Sequence, residues 1–196
     1  MLHITNIPET EASALILRGE IFPSGPFYFP FDISDSSIAR ANALAATIEP
    51  NFWAERQSAL WVYGFGNSPL IPQIATKPSH RSGSFQKAKI SHIVISAVEL
   101  VQIGNLTITS PIRTLIDCLS RPKDVDITAT ALLAKYLGVP ESLTLSTPIS
   151  RSLRENFQKN LVAVNSINVV NSIDSTHRIQ NAIKMGGVAH FENIAA

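Results

Sequence analysis

The sequence predicts an α+β fold, in which a small mixed β-sheet packs with helices and the C-terminal third of the chain is helical. Hydrophobic residues make up 45% of the 196 residues and charged residues 16%, a balance typical of a globular core. Short apolar stretches punctuated by proline or glycine follow one another between residues 70 and 108. Beyond residue 121 the apolar residues recur at helical spacing.

The N-terminal part is predicted to hold a lead-in and a hairpin. A short helix after Pro8 is expected in the lead-in, residues 1–18, with Leu15 and Ile16 packed inward. A hairpin follows, because aromatic and β-branched residues flank the turn cluster Pro23-Ser24-Gly25. The two strands are placed at residues 20–22 and 27–31.

Two helices then form the N-terminal helical layer. Ser34 or Asp35 is predicted to cap the first, which runs to about Ile48 before Pro50. The second is placed from Trp53 to Tyr63 and ends at a left-handed Gly64. The aromatic residues Trp61 and Tyr63 are expected in the core rather than as a platform for a nucleic-acid base.

The best-defined junction in the sequence lies between residues 106 and 119. A short strand enters through Leu106 and Ile108, after strands predicted at 71–76, 90–96 and 100–103. Ser110 is predicted to cap a helix whose first residue is Pro111. Its apolar stripe is formed by Ile112, Leu115, Ile116 and Leu119, while Arg113, Thr114 and Asp117 fall on the other faces.

The remaining chain is predicted to be helical. One helix is capped by Asp124 or Asp126 and ends at Gly138, and a second begins at Thr147-Pro148. A last helix is placed at residues 174–183. The second helix is expected to turn Ile149, Leu153, Phe157 and Leu161 inward. We therefore expect one α+β domain over residues 1–120 and a helical extension over 121–196, packed on the same domain.

Several classes of protein are disfavoured by composition. No apolar run is long enough to span a membrane, and the segment Met1 to Glu11 does not resemble a signal peptide. The single cysteine, Cys118, cannot form an internal disulfide and is expected to be a small buried hydrophobe. Cytoplasmic residence is the simplest interpretation.

The charged residues are distributed unevenly, which suggests a surface for an anionic partner. Residues 1–50 hold two basic and six acidic groups, a net charge of −4, whereas no acidic residue lies between Arg56 and Val98. Weak, non-specific and salt-dependent binding of DNA or RNA is the prediction, and a merely solvated basic loop is the alternative. The candidate binding residues of this basic segment are Lys77, His80, Arg81, Lys87 and Lys89.

Motifs for catalysis are not found in the sequence. No two histidines have the spacing of a metal site, and neither a phosphate-binding loop nor a serine nucleophile elbow occurs. Asp174 stands alone in the C-terminal region, where a metal-dependent nuclease would need several acidic ligands. We expect a non-catalytic protein without a metal or cofactor.

The same regions resemble a known family. Thr109-Ser110-Pro111-x-Arg113-Thr114-x-x-Asp117 is similar to a signature of the AbiEi-type antitoxins of bacterial type IV toxin–antitoxin systems. The run Ser58-Ala59-Leu60-Trp61-Val62-Tyr63-Gly64-Phe65 resembles that family's Ser-Ala-x-x-x-His-Gly-Leu helix end, with Tyr63 in place of the histidine. Arg18-Gly19-Glu20-Ile21-Phe22 and Tyr28-Phe29-Pro30 resemble the hairpin before its C-terminal domain.

The resemblance implies the C-terminal domain of an antitoxin, with the N-terminal DNA-binding winged helix truncated or missing. It implies an antitoxin-like protein or transcriptional regulator that binds a nucleotidyltransferase-like toxin, DNA or RNA. A protein-interaction module without a nucleic-acid role, and an enzyme of nucleic-acid metabolism, are the alternatives. Arg113 is expected at the surface or paired with Asp117, so that Arg113→Ala would cost less than about 1 kcal/mol.

Overall fold

The structure, a computed structural model, describes residues 7–32, 35–79, 88–138 and 150–167, and it confirms the α+β class. The helices are α1 (Glu9–Leu17), α2 (Ser37–Ala45), α3 (Arg56–Tyr63), α4 (Pro111–Ser120), α5 (Ile127–Tyr136) and α6 (Arg151–Asn165). The strands are β1 (Ile21–Ser24), β2 (Phe27–Pro30), β3 (Trp53–Ala54), β4 (Gln73–Thr76), β5 (Lys89–His92), β6 (Leu100–Ile103) and β7 (Leu106–Thr109). The helix predicted at 174–183 and the helix start at Thr147 lie outside the described residues.

A mixed five-stranded sheet forms the centre of the fold, in the order β5-β4-β3-β7-β6. The two-residue strand β3 is its middle strand, since Ala54 pairs with Ile74 of β4 and with Ile108 of β7. The prediction that a helix starts at Trp53 is therefore wrong, and α3 begins three residues later at Arg56. Glu55 is still extended, and Arg56 has a φ of 45°, so the chain turns sharply between strand and helix.

The N-terminal hairpin is confirmed, with a shift in its turn. Ser24 pairs with Phe27, so the turn is formed by Gly25 and Pro26, and Gly25 has a φ of 61°. In α1 only Ala12 is buried, and Ile16 is 37% exposed. The prediction that Ile16 packs inward is therefore wrong, and Leu15 is half-buried.

Two other predicted elements are shorter than expected. Ser36 caps α2, and the helix ends at Ala45 because the amide and the hydroxyl of Thr47 both donate to the Leu44 carbonyl. The strand predicted at residues 90–96 is β5, which ends at His92, beyond which the Ile93 amide donates to the Thr76 carbonyl.

The start of α4 is confirmed: the Ser110 hydroxyl accepts the Arg113 amide over 3.3 Å, and Pro111 occupies the first turn. The helix is buried on more than its apolar stripe, however, because α3, α5 and α6 all pack against it. Of the four residues predicted to point inward, Phe157 and Leu161 are buried, Leu153 is half-buried, and Ile149 lies outside the described residues. Within the described ranges, no helix combines the length and the hydrophobicity that crossing a bilayer would require.

Candidate functional site

The most unusual feature of the molecule is a buried acidic side chain directly after the middle strand of the sheet. Glu55 has no exposed surface. Its Oε1 accepts hydrogen bonds from Arg56 Nε over 3.1 Å and from Ser91 Oγ over 2.6 Å. Its Oε2 accepts from Arg121 Nη2 over 2.8 Å. A buried carboxylate is tolerated only when it is paired and hydrogen-bonded in this way.

A second buried acid continues the network along α4. Asp117 is 4% exposed and lies between two arginines. Arg113 Nε donates to its Oδ2 over 2.9 Å, and Arg121 Nη2 lies 3.2 Å from its Oδ1. Arg113 Nη1 also donates to Glu99 Oε1 over 3.0 Å. Burial raises the pKa of Asp117, and Arg113 opposes that effect.

Together these groups form one ionic network that crosses the sheet. It runs from β5, which holds Ser91, to the short 3₁₀ turn at residues 97–99 that leads into β6. Because β5 and β6 are the outer strands, the network joins both edges of the sheet through α4. The charges balance, with three acids against three bases. The charged members are Glu55, Glu99, Asp117, Arg56, Arg113 and Arg121.

The backbone is strained where the network meets the loop after α4. Arg56 and Asp124 have φ angles of 45° and 62°, a region that side chains seldom adopt. Arg56 Nη1 donates to the Lys123 carbonyl over 3.4 Å, and Gln73 Nε2 donates to the Asp124 carbonyl over 2.7 Å. These contacts fix the loop against the start of α3 and against β4, so the strained conformation is held in place by two separate elements.

The structure places the predicted basic segment only in part. Lys77 is exposed just after β4, whereas His80, Arg81 and Lys87 lie outside the described residues. Lys89, the first residue of β5, forms a 2.8 Å ion pair with Asp124 in which both side chains are 43% exposed. Arg56 is buried against Glu55. Two cations from this acid-free stretch are therefore neutralised, Arg56 by the preceding residue Glu55 and Lys89 by the distant Asp124.

The residues of the family signature lie inside the fold. The Ser58 hydroxyl accepts the Gln73 amide over 2.8 Å, and the hydroxyls of Thr109 and Thr114 lie 2.8 Å apart, both fully buried. Ser110, Pro111, Arg113 and Asp117 form the start of α4 and the ionic network described above. Ser58, Thr109, Thr114, Arg113 and Asp117 thus join separate elements of the fold, while Ser110 and Pro111 set the start of α4.

Trp61 and Gly64 line a cavity of about 390 Å³ between the hairpin turn and the end of α3. The Trp61 indole stacks on Phe27 with ring centroids 5.5 Å apart, and its Nε1 donates to Ser24 Oγ over 3.2 Å. With Trp61 only 3% exposed, the indole presents no face on which a base could stack. Trp61 and Tyr63 are core residues, as predicted.

Sequence reasoning missed Glu55, Ser91, Glu99 and Arg121. Glu55 and Arg121 are separated by 66 positions, so no local spacing links them. The signal that could have directed attention to Glu55 is that it is the one acid between Glu49 and Glu99. Among the described residues, no group of three or more His, Cys, Asp or Glu side chains is arranged to hold a metal ion.

Comparison with known proteins gives little similarity. No protein-family model matches the chain, and no curated protein matches it. The structure is similar to the crystal structure of the RV2827C protein from Mycobacterium tuberculosis, with 14% sequence identity and a TM-score of 0.35. That similarity covers 84% of this chain and 72% of the mycobacterial chain.

Proposed function

We propose that this chain is a non-catalytic, antitoxin-like protein that acts by binding a partner protein, namely a nucleotidyltransferase-like toxin. The proposal joins the resemblance in the sequence to the chemistry of the site. The class of partner, a toxin, is what the resemblance in the sequence implies. That the chain acts by binding rather than by catalysis is inferred from the ionic network.

The observation that carries the proposal is that two buried carboxylates, Glu55 and Asp117, are both paired with arginines. A general base needs a lone pair directed at a substrate proton. Both oxygens of Glu55 are occupied by arginine or serine donors, and Asp117 has an arginine at each oxygen. Carboxylates held in this way fix the geometry of a scaffold, and this arrangement favours binding over catalysis.

The described surface favours a protein partner over a nucleic acid. Lys89 and Arg56 are already paired with acids, which reduces the positive charge available to a phosphate backbone. Large apolar side chains are exposed instead, including Leu17 at 88% and Phe31 at 63%. Neighbouring exposed apolar side chains bordered by polar residues are typical of surfaces that bind other proteins.

Co-expression with a nucleotidyltransferase-type toxin tests the proposal. We expect the chain to restore growth and to elute with the toxin as a stable complex in size-exclusion chromatography. An unrelated ribonuclease toxin serves as the control and should stay toxic. Failure to restore growth, or hydrolysis of nucleic acid by the chain alone with magnesium or manganese, would contradict the proposal.

Nucleic-acid binding is the second candidate, supported by the acid-free stretch between Arg56 and Val98. Its test compares labelled duplex and labelled single strand at two salt concentrations. Binding should fall with salt and with the charge reversal Lys77/Arg81/Lys87/Lys89→Glu, because phosphate contacts release counterions. The matched control, Arg151/Arg154/Lys159→Glu, reverses charges on α6 instead. Equal binding by both variants would remove the basic segment from consideration.

A further inference from the structure

We infer that α1 and the hairpin form a docking face for a protein surface that is basic and carries apolar side chains. This α1–hairpin face is defined by Glu9, Glu11, Leu17, Glu20, Phe31 and Asp32. None of these residues belongs to the ionic network. The identity of the partner, a toxin, rests on the proposed function.

The first observation is that α1 has very little packing of its own. It has nine residues, and Ala12 is the one buried among them. Helices this short are only marginally stable in water unless an apolar face is covered. Yet Leu17 is 88% exposed and Ile16 is 37% exposed. The apolar side chains of this helix are therefore placed where a partner could cover them.

The second observation is that the hairpin adds an apolar anchor beside α1. The Glu20 amide donates to the Leu15 carbonyl over 3.0 Å, and the Phe31 amide donates to the Glu20 carbonyl over 2.9 Å. These bonds bring the end of α1 and the end of β2 to one junction. Phe31 is 63% exposed. Its ring packs edge-to-face with that of Phe22, and the two ring centroids lie 5.7 Å apart. Phe22 is in turn stacked on another ring, so Phe31 rests on a firm aromatic base.

The third observation is charge. Residues 7–32 contain four acids and one base, so their net charge is 1 − 4 = −3. The one base, Arg18, is paired with Glu20 at 2.9 Å. The acids Glu9 and Glu11 lie in the first turn of α1, and both are exposed. Glu20 and Asp32 flank the junction at which Leu17 and Phe31 are exposed, while Glu9 and Glu11 lie at the other end of α1. This excess of acids is complementary to a basic partner and repels nucleic acid and anionic membranes.

A labelling experiment tests the face directly, because Cys118 is buried and leaves Leu17→Cys as the reactive thiol. Maleimide should label Leu17→Cys rapidly in the full chain. A synthetic amphipathic helix of lysine and leucine should slow this labelling by about tenfold, an effect that high salt removes. Val98→Cys, with a similarly exposed parent residue, is the matched control and should be unaffected. Slow labelling without the peptide would mean that the chain itself covers the face, and equal protection of both cysteines would mean non-specific binding; either result overturns the inference.

The growth assay separates this inference from the proposed function. Leu17→Ser/Phe31→Ser and Glu9→Lys/Glu11→Lys should each abolish rescue from the toxin at an unchanged melting temperature, whereas Val94→Ser/Val98→Ser should retain it. Rescue by every variant would overturn the docking face and leave the proposed function standing. Failure of the unmodified chain to rescue would count against the proposed function, and the labelling result would then decide the docking face alone.

Discussion

Arg121 at the end of α4 donates to Glu55 over 2.8 Å, and the same guanidinium reaches Ser91 of the outer strand β5 over 3.2 Å. Ser91 completes a triangle by donating to Glu55 over 2.6 Å. These three hydrogen bonds therefore join Glu55, which follows the middle strand β3, to the outer strand β5 and to the end of α4. Burial tends to lower the pKa of Arg121, but Glu55 and Asp117 outweigh it, so that the pKa lies above its usual value.

Removing this guanidinium should destabilise the fold strongly. In Arg121→Met, Glu55 keeps Arg56 and Ser91 but loses the donor to its second oxygen. Breaking a buried ion pair costs about 3–5 kcal/mol, and we expect about 3 kcal/mol here because Arg121 is itself partly exposed. Urea denaturation measures the change. The control Arg151→Met, whose side chain is 94% exposed, should cost less than about 0.5 kcal/mol. Equal losses of stability in the two variants would contradict this role of Arg121.

Arg113 should also be far more important to stability than its sequence context indicates. The prediction of a pair with Asp117 is confirmed, but the alternative of a surface position is wrong, since the Arg113 side chain is 7% exposed. Arg113→Ala removes the cation that Asp117 and Glu99 share. It should lower the free energy of unfolding by about 3 kcal/mol, whereas the expectation from sequence is less than about 1 kcal/mol. Arg113→Lys should recover part of this loss, because lysine keeps the charge but not the forked geometry. A loss below about 1 kcal/mol in chemical denaturation would restore the original expectation.

Local signals in the sequence predict local structure, and they do so well around α4. Ser110 followed by Pro111 is sufficient to place the helix start, because both effects act within one turn. The strand β3 could not be placed in this way, because its two residues are strand only through pairing with β4 and β7. The pattern of apolar and polar residues along the chain carries no information about which distant strands will pair.

The charged site was less predictable for the same reason. Lys89 lies in an acid-free stretch of the sequence, and its partner Asp124 is brought to it by the loop after α4. Net charge along the chain therefore overstated the positive potential of this segment. Only the three-dimensional arrangement reveals which cations are already neutralised.

Cys118 should be inert in the native protein. It is 1% exposed, and burial raises the pKa of its thiol well above the usual range. Since the thiolate is the reactive form, native protein at mildly alkaline pH should react with a thiol reagent at least about a hundredfold more slowly than protein unfolded in urea. Leu17→Cys provides the matched control for an accessible thiol. Rapid reaction of the native chain would show that α4 opens readily.

The ion pair between Lys89 and Asp124 should appear in the titration of the acid. The hydrogen bond from Lys89 holds the pKa of Asp124 below its ordinary value of 3.8. Because the folded pKa is the lower one, the pair stabilises the fold above the ordinary pKa and loses this contribution as the pH falls through the folded pKa. Lys89→Met should raise the pKa of Asp124 in an NMR titration of the side-chain carboxyl carbon. Lys77→Met should leave it unchanged, and the same shift in both variants would indicate a general field rather than the pair.

Tyr63 replaces the histidine of the resembled family, and the structure gives its hydroxyl a defined role. It donates to the Thr109 carbonyl over 2.8 Å in the buried space between α3 and β7, while burial raises the pKa of Tyr63. The Thr114 hydroxyl also donates to this carbonyl over 3.1 Å, so Tyr63→Phe removes one of its two side-chain donors. The loss should cost about 0.5–1.5 kcal/mol in urea denaturation. Tyr136→Phe serves as a control, since Tyr136 is only partly buried, and it should change stability by less than about 0.5 kcal/mol. A neutral Tyr63→Phe would mean that the Thr114 hydroxyl alone satisfies the Thr109 carbonyl.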